Sequence, residues 1–270
     1  MLLKYSAFLT ATLLCLASSL SFAGAQVVSD SANKDSKGFT IAKEVQDRDS
    51  GWGDSHAKME MILSNKQGQS SRRTMELKTL EVAGDGDKSL TVFHTPRDVQ
   101  GTAFLSYSHA LEADEQWLYL PALKRVKRIS SANKSGPFLG SEFSFEDLSS
   151  FEVEKYTYEF IREDTLAGNR VFVVQYTPKY SHSGYTHLEV WIDQKEYLFR
   201  KIEFYDRKAS HLKTLEFNEY KAFGKYWRAM EYKVSNHQTG KSTILNWQDY
   251  AFKTGLNDAD FNKNALKRAR

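Results

Sequence analysis

The chain has 270 residues, 26% of them charged, with a formal net charge of +3. A balance this close to neutral leaves no electrostatic footprint for nucleic acid. One cysteine and four prolines exclude a disulfide-stapled or proline-rich chain, whereas 13% aromatics suit a sheet-rich fold, because aromatic side chains are favoured on pleated surfaces.

In chain order, residues 1–25 read as a cleavable export leader. Lys4 supplies its positive end, residues 5–20 its apolar stretch, and Ser21-Phe22-Ala23 or Ala23-Gly24-Ala25 the small residues a signal peptidase requires. Cleavage is therefore expected after Ala23 or Ala25. The apolar run is short for a membrane span and Ser29-Asp30-Ser31 follows it closely. Cys15 stands after Leu14, where a lipoprotein signal would need a small residue, so it is expected to leave with the leader. The exported chain then has no disulfide and no thiolate metal site. No linker-like tract interrupts residues 26–270, which read as one domain.

Residues 26–37 are polar. Residues 39–49 (FTIAKEVQDRD) predict a helix, with Phe39, Ala42, Val45 and Gln46 on one face and Gly51-Trp52-Gly53 ending it. Alternation then dominates. Ala57, Met59, Met61 and Leu63 stand opposite Lys58, Glu60 and Ile62, and Met75 and Leu77 opposite Glu76 and Lys78. Strands are expected at 90–93, 103–108 and 116–120, then at 156–161 and 170–176 as a hairpin around the turn at 164–169. Leu198, Arg200, Ile202 and Phe204 alternate with Phe199, Lys201, Glu203 and Tyr205. Further strands are expected at 211–223, 226–234 and 243–252, with a last helix over 258–269 capped by Asn257 or Asp258. Ten to twelve strands with short turns argue for an antiparallel meander that curls. Several strands carry large apolar groups on both faces (Phe172/Val173, Trp191/Ile192, Leu245/Trp247), which suggests a sheet wrapped over helices or a ligand cavity.

Enzyme signatures are missing: there is no Gly-x-Ser-x-Gly elbow, phosphate loop, dinucleotide fingerprint or His-Glu-x-x-His. No cofactor is implied. The histidines (His56, His94, His109, His182, His187, His211, His237) are scattered. His182 and His187 with Glu189 are too few for a metal site, and a polar hairpin is the simpler reading. Glu146 and Asp147 fit as caps or solvating groups of a short helical turn near 145–150. Ser183 with His182 offers only a weak hydrolase reading.

The densest stretch is 115–148 (EQWLYLPALKRVKRISSANKSGPFLGSEFSFEDL). Trp117, Leu118, Tyr119 and Leu120 form an apolar strand broken by Pro121, which has no N–H for a ladder. Lys124, Arg125, Lys127 and Arg128 surround Val126 in a second strand. These cations either protect a solvated edge or form a docking patch for an acidic partner or lipid headgroups. Phe138, Phe143 and Phe145 follow, as core anchors or as ligand contacts.

WLYLPALKRVKRI followed by GPFLGSEFSFEDL resembles the signature of the periplasmic outer membrane lipoprotein-sorting proteins, a branch of the LolA/LolB-like superfamily. Arg72-Arg73-Thr74, Gly84-Asp85-Gly86, Thr95-Pro96-Arg97-Asp98-Val99 and Asp47-Arg48-Asp49 are similar too. The resemblance implies an incomplete antiparallel β-barrel of about eleven strands, with a few helices covering an apolar concave face. It also implies a non-catalytic carrier in the periplasm of a Gram-negative bacterium, binding lipoprotein acyl chains or another lipid for transfer toward the outer membrane. An accessory subunit of an RND-type inner-membrane lipid exporter is the alternative. On this reading Trp117, Tyr119, Phe138, Phe143 and Phe145 contact the ligand, and Lys124, Arg125, Lys127 and Arg128 dock on an inner-membrane transporter or an outer-membrane acceptor. The family's lid-anchoring arginine would be Arg72 or Arg73.

Overall fold

Period-two patterning puts alternate side chains on opposite faces of a strand, and nearly every alternating segment becomes a strand in the computed structural model, which describes residues 36–268. The expected leader, Cys15 and the start of the polar stretch lie outside the described residues. Helix α1 (Lys37–Arg48) comes first. It begins two residues earlier than expected because Phe39 N donates to Ser36 Oγ at 3.1 Å, an N-cap that pulls in one more half-turn. Thirteen strands follow: β1 (Asp54–Ser64), β2 (Ser70–Leu80), β3 (Lys88–Thr95), β4 (Ala103–Tyr107), β5 (Glu115–Leu120), β6 (Arg125–Ile129), β7 (Tyr156–Leu166), β8 (Asn169–Pro178), β9 (Tyr185–Asp193), β10 (Phe199–Asp206), β11 (His211–Phe223), β12 (Tyr226–Asn236) and β13 (Ser242–Phe252). The expected C-terminal helix is split. A single turn at Asp258–Asp260, capped reciprocally by Asn257 and Asp260, precedes α2 (Lys263–Arg268). Among the described residues no helix is long and apolar enough to cross a membrane.

All thirteen strands belong to one open sheet, ordered β6-β5-β4-β3-β2-β1-β13-β12-β11-β10-β9-β8-β7. This is an incomplete antiparallel barrel, with thirteen strands rather than about eleven. β1 and β13 pair at its centre, Met61 opposite Leu245, so segments from the two ends of the chain meet there. The order has a topological consequence. β6 and β7 are consecutive in sequence yet lie at opposite edges. The connector between them, residues 130–155, therefore has to cross the open side.

The two faces carry separate cores. The concave core includes Met59, Met61, Met75, Phe93, Phe104, Phe138, Val190, Ile192 and Leu245, with Ile41, Ala42 and Val45 of α1 packed into it. On the convex face Leu90, Val92, Leu105 and Trp117 pack under Phe261 and Leu266, the latter on α2. Leu245 and Trp247, two residues apart, share the concave face rather than dividing between faces. Helix α1 lies against β7, where Gly38 makes the contact possible: a Cβ there would sit 3.0 Å from Phe160 N and 3.1 Å from the Glu159 carbonyl carbon. The far end of α1 is held by Arg48 Nη1 donating to Lys195 O at 2.9 Å and by an Arg228–Asp49 ion pair at 2.5 Å.

Candidate functional site: a cavity beneath the connector

Curving a wide sheet over a crossing connector leaves space between them, and the concave side holds a cavity of about 1620 Å³. That exceeds the roughly 300–1,000 Å³ usual for small-molecule sites. Its wall combines Met59, Met61 and Leu77 from β1 and β2 with Leu188, Val190, Ile202 and Leu215 from β9 to β11. A row of aromatic rings runs across the wall. Phe151 of the connector lies 5.6 Å from Tyr176 and 5.6 Å from Phe199, centroid to centroid. Phe199 is 5.9 Å from Phe217, Phe217 is 4.9 Å from Tyr232, and Tyr232 is 5.6 Å from Trp247. Burial lifts the phenols of Tyr156, Tyr176 and Tyr232 above their ordinary values, so they stay neutral.

Phe199 reaches this wall through a β-bulge. The register between β9 and β10 shifts between Phe199 and Lys201, so one extra residue turns Phe199 onto the face of Ile202 and Phe204. Simple alternation had placed it on the other face. Phe199, Phe217 and Tyr232 are among the cavity aromatics to which no motif points, whereas Trp247 belongs to one of the apolar pairs that suggest a cavity. The large residues of the C-terminal strands were the available signal.

The residues singled out in the sequence divide between sites. Phe138 and Phe143 line the cavity. Phe145 is buried beside them, 5.5 Å from Phe138 and 5.7 Å from Phe104, and is not part of the wall. Trp117 and Tyr119 lie on the convex face, where Trp117 meets Tyr107 at 5.1 Å and Lys263 Nζ at 4.5 Å. The reason is alternation: Leu118 takes the concave side of β5, so its neighbours point away from the cavity. Arg125, Lys127 and Arg128 are exposed on β6, an edge strand. Lys124 precedes the strand rather than belonging to it, at φ +49° as cap of the turn Pro121–Leu123.

The connector is pinned along its length. Arg73 Nη1 donates to Leu139 O at 2.7 Å, which gives Arg73, not Arg72, the anchoring contact; Arg72 instead pairs with Glu60. Asp147 and Lys213 form an ion pair at 2.5 Å with both side chains 4% exposed, and Lys213 also donates to Glu142 O at 2.9 Å. Asp147 accepts from Ser144 N at 2.7 Å and from the Tyr185 hydroxyl at 2.7 Å. Glu146 accepts from the Tyr180 hydroxyl at 2.6 Å and from Gly184 N at 2.8 Å. These carboxylates therefore hold the connector to the β8–β9 turn, β9 and β11 instead of standing in solvent at a helix start. Burial raises the Glu146 carboxyl, against the hydrogen bonds from Ser183 and Tyr180. Nearer β5, Gln116 Nε2 donates to Phe145 O at 2.9 Å, and Asp114 sits between Lys155 at 2.9 Å and Lys134 at 3.6 Å. Burial pushes the Asp114 carboxyl up, but Lys155 and Lys134 outweigh it and hold the group below its usual range. At the connector's last turn Ser150 Oγ donates to Glu152 at 2.7 Å and accepts from Asp87 N at 3.1 Å. Burial, with Glu152 beside it, pushes Asp87 up to about 7.

Ser183 donates to Glu146 and accepts from Tyr185 N, so its hydroxyl is engaged in structural bonds. His187 stacks on Tyr205 at 4.3 Å. Among the described residues no three His, Cys, Asp or Glu side chains converge as a metal site would require.

Comparison with known proteins gives this cavity a family. A family described only as an uncharacterized protein matches residues 85–268. No curated protein matches the chain. Among solved structures, an outer membrane lipoprotein-sorting protein domain from Vibrio parahaemolyticus is 60% identical, with a TM-score of 0.85 over 86% of this chain and 99% of that one. A DUF1329 family protein from Desulfovibrio piger is 27% identical, with a TM-score of 0.80 over 84% of this chain and 97% of its own. A LolA superfamily protein from Nitrosomonas europaea shares the fold at 16% identity, with a TM-score of 0.68 over 84% of this chain and 97% of that one. An open antiparallel half-barrel with a LolA-like fold, a connector crossing its mouth, and 60% identity along almost the whole of a solved relative together place this chain in the family of outer membrane lipoprotein-sorting proteins.

Proposed function

We propose that this protein is a periplasmic carrier without catalytic activity. In this reading it takes lipoprotein acyl chains, or another lipid, into the cavity and moves them toward the outer membrane. Residues 1–25 are then a leader removed after Ala23 or Ala25, and residues 26–270 are one half-barrel domain. The observation that carries the proposal is the aromatic-lined cavity of about 1620 Å³ beneath a pinned connector. Burying acyl chain contributes about 0.8 kcal/mol per methylene, so ten methylenes would supply on the order of 8 kcal/mol. A curved hydrogen-bonded sheet keeps such a groove open when it is empty, and ring faces accept alkyl chains of varied length. Phe138 and Phe143 on the connector side, with Phe199, Phe217, Tyr232 and Trp247 on the sheet side, form the cargo contacts. Phe145 backs Phe138.

Native mass spectrometry of the protein purified from its own host tests this reading. A bound lipid is expected, displaced by an acyl probe, with probe affinity falling in Phe217→Ala and Trp247→Ala. Protein that never carries lipid and never binds the probe sinks the proposal. The exposed cations of β6 favour a second reading, an accessory subunit docked on an RND-type inner-membrane lipid exporter. Unchanged recovery of such a partner after reversing the charge of Arg125 and Arg128 counts against it.

A further inference from the structure

The edge formed by β6 carries a cluster of exposed cations. Lys124, Arg125, Lys127 and Arg128 are all exposed. Among the described residues only Arg128 of these four has a carboxylate partner, Glu115 at 2.9 Å. Cross-strand pairing divides them between faces. Arg128 lies opposite Trp117 on the convex side, whereas Lys127 and Arg125 lie opposite Leu118 and Leu120 on the concave side. Viewed along the edge, the cations therefore form a band rather than the wall of a groove. Helix α2, packed over β4, β5 and β6, adds the exposed Lys263 and Lys267 beside it. At the start of the band stands Leu123, 62% exposed, in the turn that leads into the strand. The residues just past β6 belong to the cavity, since Ser131 and Lys134 line it.

We propose that this rim docks the protein reversibly on an anionic lipid bilayer, with Leu123 entering the interface and the cations lying over the headgroups. A planar negative surface matches a band of cations, three of the four without a carboxylate partner among the described residues, spread over both sides of an edge, each one strengthening binding roughly fivefold near such a surface. An acidic polypeptide would be expected to find a groove or a patterned set of polar partners, and the band has neither. One exposed leucine is too weak an anchor alone, but combined with a basic patch it gives the two signals that reversible membrane binding needs. Docking by this rim would bring the mouth of the cavity to the bilayer. The inference goes beyond the carrier reading and concerns where the protein meets lipid, not what the cavity holds.

Vesicle flotation of the purified full chain tests it, with the same N-terminal residues in every variant. The protein is expected to float with vesicles rich in phosphatidylglycerol, to stay behind with pure phosphatidylcholine, and to be released by high salt. Reversal of the band (Lys124→Glu, Arg125→Glu, Lys127→Glu and Arg128→Glu together) should weaken binding at least about 100-fold, and Leu123→Ser several-fold. If the reversed protein melts abnormally, the milder pair Lys124→Gln and Lys127→Gln is read instead, with a loss of roughly 25-fold expected. Equal flotation with neutral vesicles, or flotation indifferent to these substitutions, overturns the proposal. So does full competition by polyglutamate with no effect of Leu123→Ser, which would assign the rim to an acidic polypeptide. Native mass spectrometry of the same variants keeps the two readings apart: retained cargo with lost flotation separates rim from cavity.

Discussion

At one edge of the sheet β7 lies under α1, and at the other β6 lies bare along its outer side. An edge strand offers unpaired backbone groups to any passing chain, and proteins blunt such edges by covering or charging them. The β7 edge is covered. Gly38 brings the helix against the strand backbone, and the local charges are matched: Glu163 with Lys37 and Arg170, Arg162 with Asp164. The β6 edge is five residues long and charged, and among the described residues only Arg128 of its three cations has a carboxylate partner. One edge is thus closed by packing, which is stable and specific. The other is guarded by charge, which resists aggregation but leaves the strand available to a negative surface. The connector ties the two edges together, so the contrast can be tested at three places.

The largest effect is expected in the connector. Lys213→Met leaves Asp147 charged and buried without its cation, and should lower unfolding stability by about 3–5 kcal/mol, measured by urea denaturation. Adding Asp147→Leu should recover most of the loss, because a well-packed apolar pair avoids burying charge at all. A single-variant loss below about 1 kcal/mol would show that the connector is not held to β11 at this pair. At the covered edge, Gly38→Val forces a side chain into the α1–β7 contact. A loss of roughly 1–3 kcal/mol is expected from overpacking, and unaltered melting would mean that α1 is not essential to closure.

Beside the connector's last turn, Asp87 should impose a pH dependence. Its carboxyl is raised to about 7 in the folded protein against 3.8 ordinarily. The folded state therefore holds the proton more tightly than the unfolded chain does. Its contribution to stability is complete below the ordinary value and is lost as pH rises to about 7. Asp87→Asn should remove that decline, a difference of roughly 2 kcal/mol after allowing for solvent screening. Parallel stability curves for the two proteins between these pH values would contradict it. The smallest effect belongs to the bare edge. Arg125→Ala and Lys127→Ala should each shift stability by less than about 0.5 kcal/mol, seen as near-identical thermal melts. A larger loss would mean that β6 is held by contacts of these side chains and is not a free rim.

Much of the architecture was legible in local pattern. β11 begins and ends where alternation placed it, the hairpin of β7 and β8 turns where expected, and Asn257 caps the turn that precedes α2. The block around 115–148 pointed to the right region: its second half forms the connector that covers the cavity. The cavity wall was less legible. Trp117 and Leu118 visibly face opposite ways, but nothing local says which way is concave. Phe199 escaped because a single inserted residue reverses the parity of everything before it. Glu146 and Asp147 read as solvated because their partners, Tyr180, Tyr185 and Lys213, lie far along the chain.

Sequence alone determined the properties that repeat over a few residues: strand periodicity, turns, caps, the bias toward aromatics, and the basic run after Pro121. Short-range sterics and alternation set these wherever the segment ends up. Tertiary structure decided what depends on residues far apart. It paired β1 with β13, sent β6 and β7 to opposite edges, and so made the connector cross the mouth. It also determined which aromatics line the cavity, because only the closing curve of the sheet distinguishes its inside from its outside.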